Sequence, residues 1–382
     1  MKKGLLILFL LSTNTGLIAA YKYNDTLLDQ RILLLNSIAA IQNNHPSSSL
    51  RGAFPSFRKY FYSSTLKEED NVFFTALVLF NIGQFKAFMS PSELLVFEKM
   101  KEIALPYMDR FKNQQNHLTY NFWPRNPPQI FPNGGWLNRF NQKFALADDI
   151  DDAAITLLAL GVQDTLAKAM QEKFGAFRVG LIKPNKSFYK RYQTRPVYNT
   201  WLGYKMPKDV DLSVLSNVLL MHTIAKIPLN TTDSASLDLI VDLIHDNLHL
   251  KDPKYVSQHY AHTSTIIYHV ARLMYFSDYP PLLALKPLLL EQSKHLLQKA
   301  KFPLEQLLLN TAILRLGGQV PSPNIEQQLF ENNYPYFVAN IAAVLNNPVK
   351  RIVNKTNVVR FDYYSYAFNL SLIYENLMLR GD

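Results

Sequence analysis

The chain has 382 residues, of which 48% are hydrophobic and 18% charged, with 40 Lys+Arg against 30 Asp+Glu for a net charge of +10. It is long and apolar enough to bury a core, so intrinsic disorder is excluded. It contains no Cys, which excludes disulfides, thiolate zinc sites, iron–sulfur clusters and cysteine nucleophiles.

Lys2 and Lys3 precede a short apolar run from Gly4 to Leu11, and a weaker stretch ends in Ala19-Ala20. A basic start, a short apolar core and a small-residue end predict a secretory signal peptide over 1–20 and a mature chain over 21–382. The run is shorter than the roughly 20 residues that a spanning helix needs, so no transmembrane segment is expected after cleavage. Loss of the two lysines takes the net charge from +10 to +8. An exported, cysteine-free chain, periplasmic or released, is consistent with an oxidising compartment. Nucleic acid is not an expected partner.

Apolar residues then recur at three- and four-residue spacing. The spacing predicts helices over 26–41, 71–82, 91–111, 151–160, 212–227 and 234–248, and again over 262–276, 282–300, 303–316, 334–345 and 364–379. Ser90-Pro91-Ser92-Glu93 and Asp233-Ser234 read as helix starts. Period-2 runs are scarce. The candidate is 351–361, as a small β-hairpin around Asn354-Lys355-Thr356. Two long loops, 115–144 and 174–208, carry much of the Pro and aromatic content, including Trp123, Trp136 and Trp201. Loops of that length are usually functional. No Gly/Ser linker divides 21–382, so the fold class expected is all-α, a single (α/α) toroid of helical hairpins.

Three predicted helices open on acidic residues: Asp70, the run Asp148-Asp149-Ile150-Asp151-Asp152, and Asp209-Val210-Asp211. One carboxylate per helix start is explained by capping and the helix dipole. Four within five residues exceed what capping can use. Crowded carboxylates repel and their pKa values rise, which makes a proton donor or a cation site. Asp149, Asp151 and Asp152 are therefore the candidate catalytic group, and Asp209, Asp211, Trp136 and Trp201 the candidate substrate-binding group.

Asp149-Ile150-Asp151-Asp152 resembles the D-x-D-D motif of class II terpene cyclases, which include the squalene–hopene cyclases. Those belong to the terpenoid cyclase/protein prenyltransferase superfamily of α/α toroids. Asn133-Gly134-Gly135-Trp136 resembles the end of that family's QW repeat, and 199–219 and 364–377 resemble uncharacterised bacterial members. The resemblance implies that Asp151 protonates an alkene or epoxide and that Asp149 and Asp152 hold it in the acidic form. Ala153 stands where the family usually has Thr, and the other QW repeats are missing.

Other readings stay open. Asp148-Asp149-x-x-Asp152 also spells the D-D-x-x-D pattern of class I prenyl-diphosphate enzymes, but no second metal motif accompanies it. His259 and His262 lack a third zinc ligand and read as structural or surface residues. No metal or cofactor motif is found. Exported glycan-active α/α barrels use paired carboxylates and aromatic walls, so Asp151 with Asp70, Asp209 or Asp211 suits that chemistry too. A non-catalytic exported binding protein is the third reading. The partner expected is a small-molecule or glycan ligand in the toroid cleft.

Overall fold

A computed structural model describes residues 27–45, 47–113, 118–126, 146–203, 206–321, 334–340, 343, 345–358 and 360–381. The leader assigned to 1–20 and the Asn133–Trp136 stretch, with its candidate Trp136, lie outside the described residues.

The described chain is predominantly helical with one small antiparallel sheet. The first half carries α1 (Leu27–Asn43), α2 (Val72–Gly83), α3 (Pro91–Met108), α4 (Ile150–Leu160), α5 (Asp164–Ala176) and α6 (Leu212–Ile224). The second carries α7 (Thr231–His245), α8 (Thr263–Phe276), α9 (Lys286–Leu297), α10 (Pro303–Arg315), α11 (Val349–Thr356) and α12 (Tyr366–Arg380). Between them α2 packs on α4, α4 on α6, α6 on α8, α8 on α10, α10 on α12, and α12 back on α2. α1 packs on α12 and α3, α7 on α6, and α9 on α10 and α8.

Composition explains this division. From Val72 to Ile82 every residue of α2 is buried, as are Ile150–Ala159 of α4 and Leu212–His222 of α6. Helices apolar on all sides must be covered on all sides. By contrast α9 buries only Leu289 and Ser293 completely enough to count as core. α3 starts as its sequence predicts: Pro91 is its first residue, and Ser90 and Glu93 close a capping box.

The structure corrects several local expectations. α7 begins at Thr231, capped by Asn230, and Asp233 closes the box from inside the helix rather than standing before it. α5 occupies a stretch for which no helix was predicted, and it takes in the first three residues of the loop expected at 174–208. Within the helix predicted at 334–345, Phe337–Asn340 form a strand instead, β3. The predicted hairpin at 351–361 is α11 followed by the start of β4 (Arg360–Tyr364). With β1 (Phe57–Tyr60) and β2 (Lys67–Glu68) these form a sheet of order β2-β1-β4-β3, all antiparallel. Phe57 pairs with Tyr364 and Phe337 with Tyr363. These pairings join segments far apart in sequence, so no local periodicity announces them.

Candidate functional site

A short extended segment stitches two of the acidic helix starts together. The Ile150 N–H donates to the Thr200 carbonyl and the Leu202 N–H to the Asp148 carbonyl, while the Thr200 N–H donates to the Asp209 carbonyl. Asp149 and Trp201 form an antiparallel bridge. This fixes the start of α4 beside the residues that lead into α6. Residues 257–260, which lead into α8, close on the same place.

The carboxylates there have different tasks. Asp149 caps α4, its Oδ1 accepting from the Asp152 N–H at 2.7 Å. Asp211 caps α6 through the N–H groups of Ser213 and Val214, and also accepts from the Ser257 hydroxyl and the His259 N–H. Asp209 accepts from Gln258 Nε2 at 2.6 Å, His259 Nε2 at 3.2 Å and Lys350 Nζ at 3.4 Å. Asp151 is buried, at 5% exposure. Its Oδ1 accepts from Asn217 Nδ2 at 2.7 Å and its Oδ2 from the Tyr260 hydroxyl. Asn217 is itself oriented by Arg272, whose Nη2 donates to Oδ1 at 2.7 Å. No backbone N–H among the described residues bonds to the Asp151 side chain, and the Asp152 carboxyl lies against that of Asp149, which it can reach as a hydrogen-bond donor when protonated.

Charge follows from this geometry. Burial, reinforced by the nearby Asp149 charge, pushes the Asp151 carboxyl up to about 7 despite the bonds from Tyr260 and Asn217. Burial and Asp149 push Asp152 well above the usual carboxylate range, and burial also raises Asp149 and Asp211. Asp209 goes the other way. Burial opposes its ionisation, but Lys350 and His259 outweigh that and hold it below the ordinary range. Burial likewise opposes protonation of His259, yet the Asp209 hydrogen bond and the Asp209, Asp211 and Asp149 charges hold it up at about 9. Burial lowers Lys350 against the pull of Asp209.

Aromatic rings cover this cluster. The Phe337 ring on β3 lies 4.9 Å from Phe73, 5.5 Å from Tyr363, and 5.6 Å from both Phe122 and Tyr260, with His259 stacked at 6.1 Å. Trp201 meets the edge of His259 at 6.1 Å. It is buried and its Nε1–H has no partner among the described residues, as is true of the Tyr363 hydroxyl.

The sequence-predicted residues therefore divide. Asp149, Asp151, Asp152, Asp209, Asp211 and Trp201 come together. Asp70 does not join them. Asn71 caps α2, and Asp70 turns to the Tyr107 hydroxyl and to Arg110, 2.7 Å away. Asp148 is occupied by Asn113, Thr119, Asn121 and Arg125. Trp123 is buried with its Nε1 on Glu69, so it is no exposed platform. His259 is a buried partner of Asp209 rather than a surface residue. His262 is separate, beside Arg360, and burial lowers it to about 3. No group of three or more His, Cys, Asp or Glu among the described residues is arranged to hold a metal ion.

Sequence reasoning missed Tyr260, Gln258, Lys350 and Phe337. The cluster of Tyr255, Tyr260 and Tyr268 around the histidines was the available signal for the first. Lys350 and Phe337 reach the site from segments more than a hundred residues away from Asp209 and carry no motif.

No protein-family model, curated protein or solved structure matches the chain.

Proposed function

We propose that this chain is a single α/α toroid and that Asp151 is a general acid acting on an isoprenoid-like alkene or epoxide. The return of α12 to α2, with the intervening connections carrying outer helices, supports the toroid. The D-x-D-D motif and its placement support the chemistry. One observation carries it: Asp151 is buried, caps nothing, and is held by two side-chain donors with its carboxyl near 7. A structural carboxylate at a helix start would accept backbone N–H bonds, as Asp149 and Asp211 do. An acid whose pKa lies near the working pH is suited to proton transfer.

In the proposed step the Asp151 proton passes to one carbon of a C=C bond, or to an epoxide oxygen whose C–O bond then breaks, and solvent later returns a proton to Asp151. Positive charge develops on the neighbouring carbon, and loss of a proton to water completes the reaction. The faces of Phe337, Phe73, Tyr260 and Phe122 stabilise a cation by their quadrupoles, each contributing about 0.5–2 kcal/mol. Phe337, on the edge strand β3 and partly exposed, is the ring that an incoming chain meets first. The basic start, short apolar run and small-residue end within residues 1–20 support export.

The test is a panel of polyprenyl alkenes and epoxides incubated with the protein in D₂O, read by mass spectrometry. Products of the alkene substrates are expected to gain one deuterium on carbon. Asp151→Asn is expected to lower turnover by about 10²–10⁴-fold. Equal product formation by wild type and Asp151→Asn would refute the assignment. The glycan reading receives less support, because both described tryptophans are buried.

A further inference from the structure

α11 is built inside out. Its polar residues Lys350 and Asn354, one turn apart, face the protein: Lys350 reaches Asp209, and Asn354 bonds Asn340 and the Lys254 carbonyl. Its apolar residues therefore face solvent, with Val349 exposed and Ile352 at 64%. A surface helix normally has the reverse polarity.

The neighbouring surface continues the pattern. The Tyr62 hydroxyl donates to the Thr356 carbonyl and the Tyr60 hydroxyl to the Val358 carbonyl, so the β1–β2 turn lies against the end of α11. Tyr62 is 62% exposed and Val358 is exposed beside it. On the other side Asn347 Nδ2 donates to the Lys186 carbonyl, which ties in the loop that carries Leu181 and Ile182, the latter 90% exposed. These three stretches, 57–67, 181–193 and 346–361, contain not one Asp or Glu. Lys67, Lys183, Lys186, Arg351 and Lys355 are exposed among the apolar groups. Scattered exposed apolar residues are ordinary. Here they lie among stretches whose own charges are all basic, and the carboxylates that meet them include Glu68 beside Lys67, Asp246 paired with Arg191, and Asp252 on the Tyr189 hydroxyl.

We propose that this face docks on the surface of an anionic phospholipid bilayer. Apolar and aromatic side chains set among Lys and Arg suit the headgroup region, where the former enter the acyl boundary and the latter meet lipid phosphates. The contact is peripheral, since no helix among the described residues is long and apolar enough to cross a membrane. Because α11 also places Lys350 on Asp209, docking brings the bilayer beside the carboxylate cluster. The surface is independent of the reaction proposed for Asp151.

The full chain should float with vesicles containing phosphatidylglycerol and remain unbound with pure phosphatidylcholine. High salt should release it, because exposed charges are screened. The double substitution Val349→Asn/Ile352→Asn should weaken partitioning about tenfold or more, since membrane affinity scales with buried apolar area. Arg351→Glu/Lys355→Glu should act similarly. Tyr62→Ser, in a turn, gives a milder loss and serves if the helix variants fail to fold by circular dichroism. Three results would overturn the proposal: no flotation of wild type with either vesicle, equal flotation of wild type and Tyr62→Ser, or a dimer in sedimentation that Ile352→Asn dissociates without any vesicle binding.

Discussion

The start of α4 and the network around Glu375 are both buried and both charged, but their charges are matched differently. At Glu375 a single carboxylate is paired with Arg315, and Arg272 is a second cation nearby. The Glu375 carboxylate takes Arg315 at 2.8 Å and the Tyr268 hydroxyl, and Arg272 lies over the Tyr268 and Phe80 rings. Arg315 also reaches Gln84 and packs on Tyr275. At the α4 start, Asp149, Asp151, Asp152, Asp209 and Asp211 meet, among the described residues, only His259 and Lys350 as cationic partners. A buried carboxylate paired with a guanidinium locks helices together. Unmatched charge leaves carboxyls that hold protons near neutral pH, which is what proton transfer needs. The two clusters are joined by Asn217, which Arg272 orients and which donates to Asp151.

The sharpest test of that contrast is Glu375→Gln. It leaves Arg315 and Arg272 without their buried counter-charge, so urea denaturation should show a loss of about 3–5 kcal/mol. A loss under about 1 kcal/mol would mean that the matched cluster is not a lock. Lys350→Met should cost less, about 1–3 kcal/mol, because Asp209 keeps Gln258 and His259. An unchanged denaturation midpoint would detach Lys350 from the site.

The pH dependence separates the clusters by sign. In the folded chain Asp151 titrates near 7, above its ordinary 3.8, so its contribution is largest in acid and is lost as pH rises through about 7. His259, raised from 6.5 to about 9, contributes fully below its ordinary value and loses that contribution as pH rises through about 9. Asp209 opposes both, with stability that is lost as pH falls. The contribution of this cluster to thermal stability should therefore decline from pH 5 to pH 9, against a gain from His262, which burial lowers to about 3, as pH rises toward 6.5. Asp151→Asn should flatten the part between 5 and 7, and a variant as steep as wild type there would remove Asp151 as the titrating group. The smallest effect belongs to Arg110→Ala. It breaks a partly exposed pair with Asp70, and calorimetry should find about 0–1 kcal/mol. A larger loss would show that the α2 start is built like that of α4.

Much of the helical framework was legible. The caps Ser90, Asp149 and Asp211, and the long apolar runs of α2, α4 and α6, are local features. The sheet was not. β4 reads as the tail of a hairpin and β3 as helix, because their stability comes from pairing with β1 and with each other. α11 was misread for a related reason: its pattern makes sense only once Asp209 stands beneath Lys350.

By itself, the sequence determined that helices dominate, that the chain contains no Cys, and that an excess of carboxylates opens α4. It could not distinguish Asp70 from Asp151, since both are acids at the head of an apolar helix. Tertiary structure decided that. Arg110 stands beside one and balances it, whereas Asn217 and Tyr260 hold the other away from water with no cation bonded to it. Whether a carboxyl keeps its proton depends on burial and on what folds against it, and neither is a property of the residues on either side.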